Sequence, residues 1–125
     1  MRAKSAKAKG RRLQDKVVRD LQEAFSLNDD DIRPAIMGEK GIDIKLMSDR
    51  SRRAVGLAIE CKNTEKLNIW DALKQAAENA GQTMEAPAVV FTRNRSKTYV
   101  VIEWEKLIEL LMSQTCSTPA SSAQS

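Results

Sequence analysis

The chain has 125 residues, 42% hydrophobic and 30% charged, with 21 Lys and Arg against 17 Asp and Glu and a net charge of +4. That length gives one domain with a modest core, and no apolar run approaches the roughly 20 residues that cross a bilayer. A cytoplasmic protein is therefore expected, with no membrane partner. There is no histidine, and the two cysteines fall in a core-like strand and a polar tail; this excludes Ser-His-Asp and Cys-His catalysis, histidine general bases and the usual structural zinc site. Any catalysis has to run on carboxylates, lysines and hard metal ions.

Residues 1–10 form a basic segment expected to be flexible and to order only on a polyanion. Within 1–20, Arg2, Lys4, Lys7, Lys9, Arg11, Arg12, Lys16 and Arg19 face only Asp15 and Asp20. Residues 11–25 have the spacing of an amphipathic helix, with Leu13, Val17, Val18, Leu21, Ala24 and Phe25 on one face. Gln14 falls in the middle of that face, whereas Asp15 and Glu23 point away. NDDDIRPAIM suggests a first strand, with Pro34 favouring an edge position. GIDIKLM alternates Ile42, Ile44 and Leu46 against Asp43, Lys45 and Met47. SDRSRR is taken as a turn into AVGLAIECKN, making residues 42–62 a hairpin.

Asn68 is a plausible N-cap for the helix IWDALKQAAENA, with Asp71 at its third position and Gly81 beyond its end. APAVVF, opened by Pro87, suits a buried central strand parallel to the one before the helix. The basic loop TRNRSK leads into TYVVIE, and WEKLIELLM makes a last helix through Trp104, Leu107, Ile108 and Leu111. From Ser113 the composition suggests a disordered tail. The expected organisation is a domain over 11–112 flanked by segments 1–10 and 113–125. Its class is α/β, with the order α-β-β-β-α-β-β-α and a mixed sheet flanked by helices.

The strand around residue 60 carries the chemistry. Val55, Leu57, Ile59 and Cys61 alternate with Gly56, Ala58, Glu60 and Lys62. Folding the hairpin about residue 51 places Asp43 opposite Ile59 and Glu60, on the face of Glu60 and Lys62. Adjacent strands lie about 4.8 Å apart, so two carboxylates there can share one divalent cation and would repel without it. Gly56 and Ala58 would leave room above the sheet for a substrate. Two further basic clusters, Arg50, Arg52, Arg53 and Arg93, Arg95, Lys97, favour nucleic acid as partner.

These residues resemble the motif of the PD-(D/E)XK, or restriction-endonuclease-like, nucleases. Asp43 in GID matches the aspartate, Glu60-Cys61-Lys62 matches E-x-K, and residues 7–112 follow the family's element order. KGRRLQ at the first helix resembles the small Holliday-junction-resolvase branch, and the chain is similar to short nucleases of this kind carried by bacteriophages. That branch has a glutamate where this chain has Gln14. The resemblance implies a Mg²⁺-dependent endonuclease, with Mn²⁺ substituting and no small-molecule cofactor. Asp43, Glu60 and the Cys61 carbonyl would hold metal, and Lys62 would assist the attacking water. Gln14 is a candidate additional site residue. Gln75 is a weaker one, lying away from its helix's apolar face and more readily read as a solvated glutamine. Lys9, Arg11, Arg12 and the two further basic clusters would contact phosphates, and Trp70 and Trp104 are expected in the core or an interface. A homodimeric branched-DNA resolvase leads; a nicking, repair or restriction-like nuclease on linear DNA and an inactive DNA-binding module are the alternatives.

Overall fold

The apolar run APAVVFT forms the middle strand of a three-stranded sheet. The computed structural model describes residues 2–81 and 83–117, with side chains from residue 6 to residue 114. The elements are α1 (Arg2–Phe25), β1 (Ile32–Pro34), β2 (Ile44–Leu46), α2 (Asp49–Val55), β3 (Leu57–Asn63), α3 (Ile69–Ala80), β4 (Ala86–Thr92), β5 (Tyr99–Ile102) and α4 (Trp104–Ser117). β4 pairs in parallel with β3, from Leu57↔Ala86 to Asn63↔Thr92, and antiparallel with β5. β1 and β2 form a separate antiparallel pair.

Strand alternation sorts the side chains into two layers. Ile59, Cys61, Ala88, Val90 and Ile102 pack with Leu13, Val17 and Val18 of α1 and with Ile32 and Ile44. Val89, Phe91 and Val101 pack with Leu67 and with Ala72, Leu73 and Ala76 of α3. Helices thus cover opposite faces of a mixed sheet, a restriction-endonuclease-like α/β fold. Asn68 caps α3 by accepting from the Asp71 N–H, and Gly81 ends it by donating to the Ala77 carbonyl. Among the described residues, no helix is long and apolar enough to cross a membrane.

The expected hairpin over 42–62 is not a hairpin. Residues Asp49–Val55 form α2 instead of a turn. The Ser48 hydroxyl accepts from the Ser51 N–H while the Ser51 hydroxyl accepts from the Ser48 N–H, a reciprocal cap. Asp49 in the first turn and Arg52 and Arg53 in the last complement the helix dipole. Gly56 is the left-handed stop, at φ +64°. It lies before β3 and not within its face, and Ala58 is completely buried. The two serines that suit a turn serve here as a reciprocal helix cap.

Three further differences lie at the ends and on the surface. α1 starts at Arg2, so the basic segment continues the amphipathic helix, and α4 continues past Met112 to Ser117. The remainder of the expected tail, 118–125, lies outside the described residues. Trp70 and Trp104 are 81% and 65% exposed, so neither belongs to the core.

Gly56 has room for a side chain, the nearest atom to an added Cβ being the Arg52 carbonyl oxygen at 3.8 Å. Only its positive φ resists substitution. Gly56→Ala is expected to lower stability by about 1–2 kcal/mol, read as a shifted urea midpoint, with Gly56→Asn recovering part of the loss.

Candidate active site

Asp43 lies just before β2 and is bound to the outer edge of β3 by backbone and side chain together. Its N–H donates to the Ile59 carbonyl at 3.1 Å, and its Oδ2 accepts from the Cys61 N–H at 2.8 Å. The expected opposition of Asp43 to Ile59 and Glu60 is present, reached through α2 and these bonds in place of a hairpin ladder. In a strand the N–H and C=O of one residue leave on the same side, so the Cys61 carbonyl emerges on the Asp43 edge.

The other face of β3 is not a wet face. It lies under α3, whose buried residues Ala72, Ala76 and Ala80 let the helix approach the sheet closely. Gln75 and Asn79 border that alanine stripe, one turn apart. The Lys62 ammonium donates to Gln75 Oε1 at 2.6 Å, and the Asn79 side chain hydrogen-bonds the Glu60 carboxylate. Gln75, expected to lie off the apolar face, is thus the orienting partner of Lys62. Asn79 was not anticipated from the sequence, although its i+4 spacing from Gln75 beside three alanines is the signal that could have found it.

Asp43, Glu60, Cys61 and Lys62 line a groove of about 460 Å³, walled by Lys7, Arg11 and Gln14 of α1, by Gln75 and Asn79, and by the β1–β2 loop. Gln14 lines the same groove as the paired carboxylates and is half-buried. A slightly larger cavity, about 500 Å³, lies past Thr64 among Leu67, Phe91 and Tyr99. It gathers no paired carboxylates, whereas the groove brings Asp43 and Glu60 together with Lys62.

Burial pushes the Glu60 carboxyl above its ordinary pKa, and the Asp43 charge pushes it further, against the pull of Asn79, Lys62 and Lys45. Burial likewise raises Asp43, opposed by the Cys61 N–H and by Lys62 and Lys45. The Cys61 thiol is free, buried and strongly raised by desolvation, which makes it inert. Glu60 is 3% exposed, and its Oε1 is buried with no hydrogen-bond partner among the described residues. An anionic oxygen left this way is costly unless a cation meets it. Among the described residues no group of three or more acidic, cysteine or histidine side chains gathers at one point. Two carboxylates and a backbone carbonyl suit a hard cation that keeps several waters, as Mg²⁺ does.

The basic residues divide. Arg93, Arg95 and Lys97 are exposed on the β4–β5 loop, beside the end of β3 that carries Lys62. The Asn94 N–H in that loop donates to Glu65. Lys9 lies at the same end, where its carbonyl accepts from the Asn63 amide and its ammonium is 3.6 Å from Glu65. Arg11 and Arg12 are exposed on α1. The α2 cluster precedes the opposite end of β3 and is partly engaged in holding the fold. Arg50 donates to the Ser26 carbonyl and Arg52 to the Leu46 carbonyl and Asp49, while Arg53 is exposed.

A restriction-endonuclease-like fold bearing an Asp, a Glu-x-Lys strand and a flanking basic helix defines a nuclease of the PD-(D/E)XK class. Residues 5–124 match the model of the family described as "Phage putative PDDEXK endonuclease". The chain belongs to this phage endonuclease family. No curated protein and no solved structure matches it significantly.

The raised carboxyl groups make a pH-dependent contribution to stability. A carboxyl whose pKa is higher folded than unfolded binds more protons in the folded state, so its contribution falls as pH rises from the ordinary carboxylate range through the folded value. Without divalent ions, Glu60→Gln is expected to melt above the wild type at neutral pH. The difference should shrink as pH falls toward the ordinary carboxylate range, as thermal melts across that span will show.

Proposed function

We propose that the protein is a Mg²⁺-dependent DNA endonuclease that hydrolyses phosphodiester bonds, acting as a homodimer on branched DNA. The observation that carries the hydrolytic reading is the buried, unpartnered Glu60 Oε1 beside Asp43 in a groove that also holds Lys62. Asp43, Glu60 and the Cys61 carbonyl would hold the cation, with Mn²⁺ an acceptable substitute. A bound divalent ion supplies positive charge beside the phosphate and acidifies water.

The chain's own residues do the rest. Gln75 fixes the Lys62 ammonium, a preset donor for charge developing on the phosphate. Asn79 steadies Glu60 from the α3 side. Asp43 is held from both its backbone and its side chain, so its free oxygen is aimed without an ordering cost. Arg11 and Arg12 on one flank and Arg93, Arg95 and Lys97 on the other supply positive charge for the phosphates on either side of the site.

The branched-DNA reading rests on the resemblance of KGRRLQ to the resolvase branch. A four-way junction is two-fold symmetric, and paired nicks need two active sites. The neutral Gln14 in the groove favours one competing reading, a DNA-binding module with little turnover, because an amide oxygen gives a cation less than a carboxylate does. Cleavage decides between them.

Incubation with four-way junction, flap and linear duplex DNA, each with Mg²⁺ or EDTA, should show metal-dependent cuts with the junction favoured. Asp43→Ala, Glu60→Ala and Lys62→Ala should each lower the cleavage rate by at least about 100-fold while leaving gel-shift binding largely intact. Near-normal cleavage by Glu60→Ala would contradict the assignment, and preferred cutting of linear duplex would replace the junction reading with a linear-DNA nuclease.

A further inference from the structure

The loop between β1 and β2 exposes two large apolar side chains at the rim of the groove, Ile36 at 62% and Met37 at 78%. Single exposed hydrophobics are ordinary, but these are adjacent and sit on a turn whose backbone is hydrogen-bonded in place. The Glu39 N–H donates to the Ile36 carbonyl at 3.0 Å, closing a turn with Met37 and Gly38 at its tip. Gly38 has φ +83°, the left-handed position such a turn requires. Arg33 grips Glu39 with both guanidinium nitrogens at 3.0 Å, and the Ile36 N–H donates to the same carboxylate. The pair lowers the Glu39 pKa to about 2, so the clamp stays charged at working pH.

The loop is also coupled to the metal-binding edge. The Ala35 N–H donates to the Asp43 carbonyl at 2.7 Å, and the Lys45 ammonium donates to the Lys40 carbonyl at 2.7 Å. Ile36 and Met37 line the same groove as Asp43 and Glu60, with Lys7 and Arg11 on α1 also lining it. A nucleic acid strand held by those cations with a phosphate at Asp43 and Glu60 would run through the groove that this tip lines.

We propose that Ile36 and Met37 form a rigid apolar wedge that enters the base stack beside the scissile phosphate of a DNA substrate. This rests on the endonuclease reading and extends it to how the substrate is selected. Short apolar side chains inserted between base steps unstack and kink a duplex. Unstacking costs least at a mismatch or an already open step, so the wedge favours DNA that is branched or mispaired there. The pinned loop presents the pair without an ordering cost on binding.

The test uses 2-aminopurine placed at the step beside the cut, in linear duplex, mismatched duplex and four-way junction, bound in Ca²⁺ so that binding is read without turnover. The wild type should raise its fluorescence on binding, as an unstacked base does. Ile36→Ser with Met37→Ser should abolish that rise while leaving the salt dependence of binding unchanged, because the wedge carries no charge. In Mg²⁺ the double variant should cut four-way junction and mismatched duplex about tenfold or more slowly and fully paired duplex with a smaller loss, so that the preference for open steps shrinks. Met37→Phe should retain both signals.

Undiminished fluorescence and cleavage in the serine variant would overturn the wedge alone. So would a serine variant that merely changes the oligomeric state in sedimentation, or a Met37→Phe variant as impaired as the serine one. Failure of the wild type to bind or cut any of these DNAs would instead overturn the endonuclease reading.

Discussion

The site depends on one hydrogen bond, from the Cys61 N–H to the Asp43 carboxylate at 2.8 Å. Among the described residues β2 forms its ladder with β1 and none with β3. With its backbone companion to the Ile59 carbonyl, this bond fixes the β1–β2 unit, whose Ile32 and Ile44 pack into the shared core, in register against the edge of β3. The contact brings a second carboxylate to the side of Glu60, where burial already disfavours charge. Two like charges held together in a half-dry groove are a poor way to stabilise a fold and a good way to hold a divalent cation.

The opposite wall follows from alanine. Ala72, Ala76 and Ala80 let α3 lie close over β3, and that closeness lets short polar side chains at Gln75 and Asn79 reach Lys62 and Glu60. Larger residues in the stripe would lift the helix and detach both partners. α1 contributes differently, through a stripe of Lys7, Arg11 and Gln14 at helical spacing above the same groove. The strand that carries Glu60 and Lys62 is thus served from both faces and from its edge, which suits a strand at the border of its sheet.

Much of this was legible in the sequence. The α3 cap at Asn68, its stop at Gly81, the buried APAVVF strand and the parallel crossover all followed from local chemistry that agrees with the fold. The position of Asp43 near Ile59 and Glu60 was also legible, but for a different reason. The segment from Ser48 to Gly56 was misread because its serines, aspartate and arginines suit a turn as well as a capped two-turn helix, and only tertiary packing of Ser51 and Val55 decides. Gln75 was undervalued because a helical wheel shows which residues face the core but not how closely a helix of alanines approaches it. Asn79 and the Arg33–Glu39 clamp depend on side-chain geometry across elements, which single-sequence patterns do not carry.

Metal ligation by the paired carboxylates is most directly measured by calorimetric titration of Mn²⁺ into the protein without DNA, for the wild type, Asp43→Asn and Glu60→Gln. The expected result is a saturable binding heat for the wild type that is lost or shifted to much higher Mn²⁺ in both variants, with each variant still folded by circular dichroism. Equal Mn²⁺ binding by the wild type and Glu60→Gln would contradict ligation by this pair.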